Sequence, residues 1–222
     1  MLLSRLILPI FLFAGVSFGQ GYGSIAGTVT DEGGMAISGA TVYAMRIGRP
    51  TASAIPAEET DAEGHYIFKR LDYGRYAVAP AKPADGYPTP WYVPNCTHMK
   101  YPETELSDEN QSAKLDLRFG KKAGALVGTV TDADSGNPVD ANVEFRCIVD
   151  PSQFVSGSGL TNAHFRVLVP SDTPVSMTVS QKGFQNWHFT RNGVVEPILL
   201  APGEILTLEI RLKKTQWNDE AP

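Results

Sequence analysis

The chain has 222 residues, 42% of them hydrophobic and 19% charged, with a formal net charge of −5. That apolar content supports a buried core and excludes a chain disordered throughout, and the length allows one or two domains. No block of Lys and Arg accompanies the negative charge, which argues against nucleic acid as a partner, since phosphate neutralisation needs clustered cations.

The first element in chain order is a secretory leader. Arg5 forms a short basic region, Leu6 to Val16 an apolar run interrupted by Pro9, and Ser17-Phe18-Gly19 places small residues at the −3 and −1 positions of a cleavage site. The expectation is a signal peptide over residues 1–19, with Gln20 first in the mature chain. A membrane anchor is the alternative, but the run falls short of the ~20 residues that span a bilayer. No cysteine follows it, so a lipoprotein is not indicated. The leader implies a secreted chain, periplasmic or extracellular, with no membrane span after cleavage.

Short strands follow. Ile25, Gly27 and Val29 alternate with Ala26, Thr28 and Thr30, the period of a strand with one buried face. Asp31-Glu32-Gly33-Gly34 supplies turn chemistry. Ala40, Val42 and Ala44 line a second strand, and Asp61-Ala62-Glu63-Gly64 forms another turn. Tyr66 and Phe68 mark a third strand, Tyr76 and Val78 a fourth, and Leu115, Leu117 and Phe119 a last one. Between them, Ala81 to Asn110 is rich in proline, which cannot donate to a sheet ladder, and reads as an edge excursion or ordered loop.

The same order then returns. Ala26 to Asp31 recurs as Val127 to Asp132, Ala40-Thr41-Val42 as Ala141-Asn142-Val143, and Thr60-Asp61-Ala62 as Thr161-Asn162-Ala163, each at an offset of 101. The period is too long for a stacked solenoid unit, so each copy is a domain. In the second copy Leu126, Gly128 and Val130 are followed by Ala141, Val143 and Phe145. Phe165, Val167 and Val169 come next, then Val175, Met177 and Val179, and Leu206 to Leu212 close it. Gly183 to Pro197 is a shorter counterpart of the proline-rich excursion. The tail from Thr215 is polar and expected to fray. No segment after the leader keeps a 3.6-residue apolar period, so little helix is expected. Turn-bounded short strands imply a sandwich or barrel.

Gly27-Thr28-Val29-Thr30-Asp31 with Ile37 to Val42 resembles the opening of the carboxypeptidase regulatory-like domain. Thr60 to Phe68 resembles its central hairpin, and Leu71-Asp72-Tyr73-Gly74-Arg75-Tyr76 its L-x-x-G-x-Y strand entry. Copy two departs from the pattern: it lacks the glycine before Ala141 and the Glu-Gly pair of the hairpin. Pro202 to Leu206 resembles the family's turn into its last strand. The resemblance implies an all-β chain of two tandem Greek-key β-sandwiches, similar to transthyretin. The expected divisions are a leader at 1–19, sandwiches at 20–120 and 121–214, and a polar tail at 215–222. The family brings no catalytic residues and no cofactor.

The candidate sites are few. Tyr87, Trp91, Tyr92 and Trp187 offer flat apolar faces with polar edges, suited to stacking on sugar rings or clamping a peptide, or to closing the sandwich end. Cys96 and Cys147 lie in different copies, so a bond between them is an interdomain staple, and without it the Gly120–Gly124 junction is a hinge. Asn95-Cys96-Thr97 and Asn110-Gln111-Ser112 match glycosylation acceptors. His65, His98, His164 and His188 lack zinc spacing, and Asp132 to Asn137 resembles part of a calcium loop without its distal glutamate, so no metal is expected. Gly157-Ser158-Gly159 is not a nucleophile elbow. Three functions follow: a non-catalytic structural or protein-interaction module of the envelope; a carbohydrate-binding protein whose partner is a polysaccharide; or an accessory subunit of a peptidase or other hydrolase.

Overall fold

The computed structural model describes residues 21–48, 55–90, 96, 100–157 and 163–215. The expected leader and most of the tail lie outside them. The described residues are all-β: apart from one 3-10 turn at Pro83–Asp85, their regular elements are strands. The first stretch holds β1 (Tyr22–Thr30), β2 (Thr41–Arg46), β3 (Ala57–Glu59), β4 (His65–Asp72), β5 (Gly74–Ala81), β6 (Glu103–Leu106), β7 (Ser112–Lys114) and β8 (Leu117–Arg118). The second holds β9 (Gly124–Asp132), β10 (Asn142–Cys147), β11 (Phe154–Gly157), β12 (His164–Val169), β13 (Val175–Ser180), β14 (Trp187–His188), β15 (Thr190–Arg191), β16 (Val194–Val195) and β17 (Ile205–Leu212).

Each stretch makes two facing sheets, and the second adds a small two-stranded sheet, β15-β16. The first pairs β4-β1-β7, with β8 also on β1, against β3-β2-β5-β6. The second pairs β12-β9-β17 against β11-β10-β13-β14, so the strand order repeats. In both, the last strand runs parallel to the first. Period-2 alternation decides which side chains go inward. Ile25, Val29, Tyr66 and Phe68 from one sheet meet Val42, Ala44, Tyr76 and Val78 from the other. In the second stretch Leu126, Val130, Phe165 and Ile210 meet Val143, Phe145, Met177 and Val179. The two cores share no residue. Two sheets enclosing one apolar layer form a sandwich, and the chain builds that arrangement twice.

Several sequence expectations need correction. The last strand of the first stretch is broken at Leu115 and Asp116. There the Asp116 carboxylate takes the Thr28 N–H at 3.0 Å, replacing a backbone acceptor. The proline-rich excursion is shorter than expected, because Glu103–Leu106 pairs with Gly74–Ala77 as an edge strand. The third repeat match also shifts. Val29 N–H donates to the Gly64 carbonyl and Val130 N–H to that of Ala163, so Ala163 answers to Gly64 rather than Ala62. Strand pairing, not residue type, sets this register: Thr28 faces His65 and Thr129 faces His164. Thr215 is anchored, its N–H donating to the Gly183 carbonyl at 2.9 Å.

Candidate functional site

The junction between the two sandwiches gathers the notable side chains. Tyr87 follows the 3-10 turn, where Gly86 takes a positive φ of 91° and lets the chain double back. Lys82 and Tyr87 exchange backbone hydrogen bonds at 2.7 and 3.1 Å, which fixes the backbone at Tyr87. The Tyr87 ring stacks on Phe119, with centroids 4.1 Å apart and planes 15° apart. The Lys122 ammonium lies 5.7 Å from the Tyr87 centroid. Ala123 N–H donates to the Gly86 carbonyl at 2.9 Å, and Lys121 Nζ sits 2.7 Å from the Asp172 carboxylate. Cys96 and Cys147 are joined in a disulfide with a Cα–Cα distance of 5.4 Å. The connecting segment is therefore pinned at several points.

Beside the junction lies a cleft of about 950 Å³. Pro80, Pro102, Leu117 and Phe119 form apolar wall, and Tyr101 contributes a half-buried ring. Three of the charged side chains that line it, Asp116, Arg118 and Lys121, have partners. Asp116 accepts from Thr28 and lies 3.0 Å from Lys114 Nζ, and the hydrogen bonds from Lys114 and Thr28 hold its carboxyl below the usual range. The Arg118 guanidinium donates to the carbonyls of Asp31 and Glu32. The hydrogen bond to Asp172 raises the Lys121 ammonium, and burial raises the hydroxyls of Tyr87 and Tyr101. The cleft thus offers apolar and aromatic contact beside several paired charges.

The sequence-predicted contact residues do not form one surface. Trp91 and Tyr92 lie outside the described residues. Tyr87 is buried in the first core and shows the cleft only its margin. Trp187 is on β14, half-buried against the second core, and is not part of the cleft wall. Sequence reasoning missed Tyr101 and Phe119 as cleft residues, since only the fold of residues 100–120 beside Tyr87 brings them together.

Two turns carry clustered acidic side chains. Asp61, Glu63 and His65 present potential ligand atoms within 4.8 Å of one another, all exposed. Asp61 is already engaged: its Oδ1 accepts from the backbone of Glu63 and His65, the latter bond doing most to lower its carboxyl. The calcium-loop-like Asp132 is a turn residue. Its Oδ1 accepts the N–H groups of Asp134 at 2.8 Å and Ser135 at 3.3 Å, and Oδ2 meets Lys214 Nζ at 3.0 Å. These bonds, the Asp134 one foremost, hold its carboxyl down at about 2. His98 lies outside the described residues, while His164 and His188 are exposed on strands.

No protein-family model matches the chain, and no curated protein sequence matches it. Among solved structures it is similar to the TIE protein of Bacillus anthracis, at 17% identity and a TM-score of 0.34. It is also similar to a streptococcal ancillary pilin (10%, 0.32) and to a point variant of the shaft pilin spaA from Lactobacillus rhamnosus GG (9%, 0.37). These overlays cover 87, 87 and 88% of this chain, and 34, 62 and 100% of the other chains. The chain thus spans about a third of the TIE chain and less than two thirds of the ancillary pilin. Among the described residues, no helix is long and apolar enough to cross a membrane.

Proposed function

We propose that the chain is a secreted, non-catalytic structural and protein-interaction protein of the cell envelope. In this reading residues 1–19 are a cleaved leader. Residues 20–120 and 121–214 are two Greek-key sandwiches similar to the carboxypeptidase regulatory-like domain, and 215–222 is a polar tail. The observation that carries it is the Cys96–Cys147 disulfide, which ties the segment after Tyr87 to the end of β10 in the second sandwich. Such a bond suits an oxidising compartment, where it persists, and a part whose value is a fixed shape. Among the described residues the buried polar side chains serve the fold: Thr60 donates to the Ile37 carbonyl and accepts from Ala40 N–H, and Asp132 closes a turn and pairs with Lys214.

The test is the intact mass of the full-length product expressed with its leader in a bacterium and recovered from periplasm and medium. The expected species begins at Gln20, is two hydrogens lighter than its reduced form, and takes up alkylating reagent only after reduction. A cytoplasmic product that keeps residues 1–19 and has two freely alkylated thiols would overturn the reading.

A second reading, polysaccharide binding, is favoured by the half-buried Tyr101 ring in the apolar cleft. Flat rings in a partly dry wall stack on sugar faces. Here a polysaccharide pull-down should lose the bound chain on Tyr101→Ala or Trp91→Ala. Retention unchanged by both variants, or no retention of wild type, counts against it.

A further inference from the structure

The two sandwiches treat their last strands differently. In the first, the parallel edge is interrupted: β7 and β8 are separated by Leu115 and Asp116, the Asp116 carboxylate turns inward to Thr28, and Arg118 folds over the backbone of Asp31 and Glu32. Breaks and charges of this kind blunt an edge against further pairing. In the second, β17 runs unbroken beside β9 from Ile205 to Leu212.

The direction of its backbone groups follows from its bonds. Glu204 and Leu212 carbonyls accept from Ala125 and Ala133, each at 2.8 Å, so even-numbered residues face β9. Backbone polar groups alternate sides along a strand, so Ile205, Thr207, Glu209 and Arg211 direct theirs away from it. The open stretch has definite ends. Gln185 N–H takes the Lys213 carbonyl at 2.8 Å at one end, and the turn at Gly203, with φ 75°, closes the other. Among the described residues no backbone hydrogen bond reaches the outward side of residues 205–211.

The side chains beside this edge are also unfinished. Ile210 and Leu212 are 1% exposed, yet Leu206 and Leu208 on the same inner face are only half-buried, and Ile205 is 62% exposed. The apolar layer under β17 is closed at one end and open at the other.

We propose that β17 pairs antiparallel with β17 of a second copy of this chain, making one continuous sheet across the dimer. The open stretch is symmetric about Leu208, which fixes the register. Leu208 faces its own copy and Leu206 faces Ile210, which covers the half-open leucines. On the outer face Thr207 stands opposite Glu209 and Ile205 opposite Arg211. No like charges are directly opposed, and each Glu209 keeps an Arg211 two residues along its own strand. A register centred on Glu209 instead opposes two carboxylates and drives Ile205 into the capped Lys213. An unrelated peptide gains the backbone bonds but not this match of length and apolar side chains.

This assembly goes beyond the envelope role and does not depend on it. The test uses the mature, disulfide-bonded chain in sedimentation equilibrium over a concentration series. Wild type should reach twice the chain mass. Thr207→Pro removes an outward N–H without touching the bonds to β9, because proline is tolerated at an edge whose N–H faces solvent. It should halve the mass while leaving the far-ultraviolet dichroism unchanged. The wild type also reports by itself. The Thr207, Glu209 and Arg211 amides should exchange at least tenfold more slowly at dimer-forming concentration than at high dilution. A wild type that stays at the single-chain mass, a folded Thr207→Pro that keeps the double mass, or outward amides indifferent to concentration would each overturn the proposal.

Discussion

Gly27 lies directly beneath the carbonyl of Leu115, where an added Cβ would collide with the oxygen. Gly128 stands in the same relation to the Leu208 carbonyl. Both glycines occupy the same place in their copies, at the point where the parallel last strand approaches the first. Chain closure in each sandwich therefore depends on a missing side chain. Gly27→Ala and Gly128→Ala should each destabilise the protein by about 1–3 kcal/mol, the cost of overpacking a tight site. Denaturant unfolding measures this; a midpoint within error of wild type for both variants would contradict the close approach.

Ala163 takes the position that Gly64 holds in the first copy, with φ of 63° against 78°. A Cβ is unfavourable in this left-handed region by about 1–2 kcal/mol. Ala163→Gly should therefore stabilise the second sandwich by about 1 kcal/mol, after allowance for the greater freedom of glycine in the unfolded chain. A drop in thermal midpoint would show that the Ala163 methyl, which is buried, contributes more by packing than it costs in strain.

The Asp132 carboxyl is held at about 2, below its ordinary 3.8. A group depressed on folding lends stability above its unfolded value and withdraws it as pH falls toward the folded one. The contribution is thus complete above about pH 5 and lost as pH falls through 4 toward 2. Asp132→Asn should lower stability at neutral pH and flatten the acid limb of stability against pH. An acid limb that keeps its wild-type slope between pH 5 and 2 would exclude Asp132 as its source.

The Cys96–Cys147 bond closes a loop of 51 residues in sequence separation. On the chain-entropy account such a loop stabilises by about 4 kcal/mol. Reduction, or the double variant Cys96→Ser with Cys147→Ser, should lower the guanidinium midpoint accordingly. The Tyr87–Phe119 stack and the Lys121–Asp172 pair should still hold the junction before the transition. A midpoint indifferent to reductant would mean that the bond adds no stability.

The strands legible in the sequence were those that bury one face. Ile25, Gly27 and Val29 announce β1 by their period, as Val175, Met177 and Val179 announce β13. Ala57–Glu59 is wholly exposed, so it carries no apolar alternation and was missed as β3. The break at Asp116 was invisible because a side chain, not a backbone group, completes the ladder there. The repeat was readable where residues face the core and misread at the hairpin, where turn length controls register. At the site, the sequence singled out Tyr87 as aromatic. Phe119, which stacks on it, and Ala123, which bonds the adjacent Gly86, are more than thirty residues away, and only the path of the chain brings them close.

On a chain that emerges N-terminus first, Cys96 precedes Cys147 by 51 residues. The first thiol must therefore wait, reduced, until β10 has appeared, and the first sandwich can collapse without it. Within these 222 residues the two cysteines allow a single pairing. Oxidation can therefore follow the appearance of β10, and needs an electron acceptor but no reshuffling between these two cysteines.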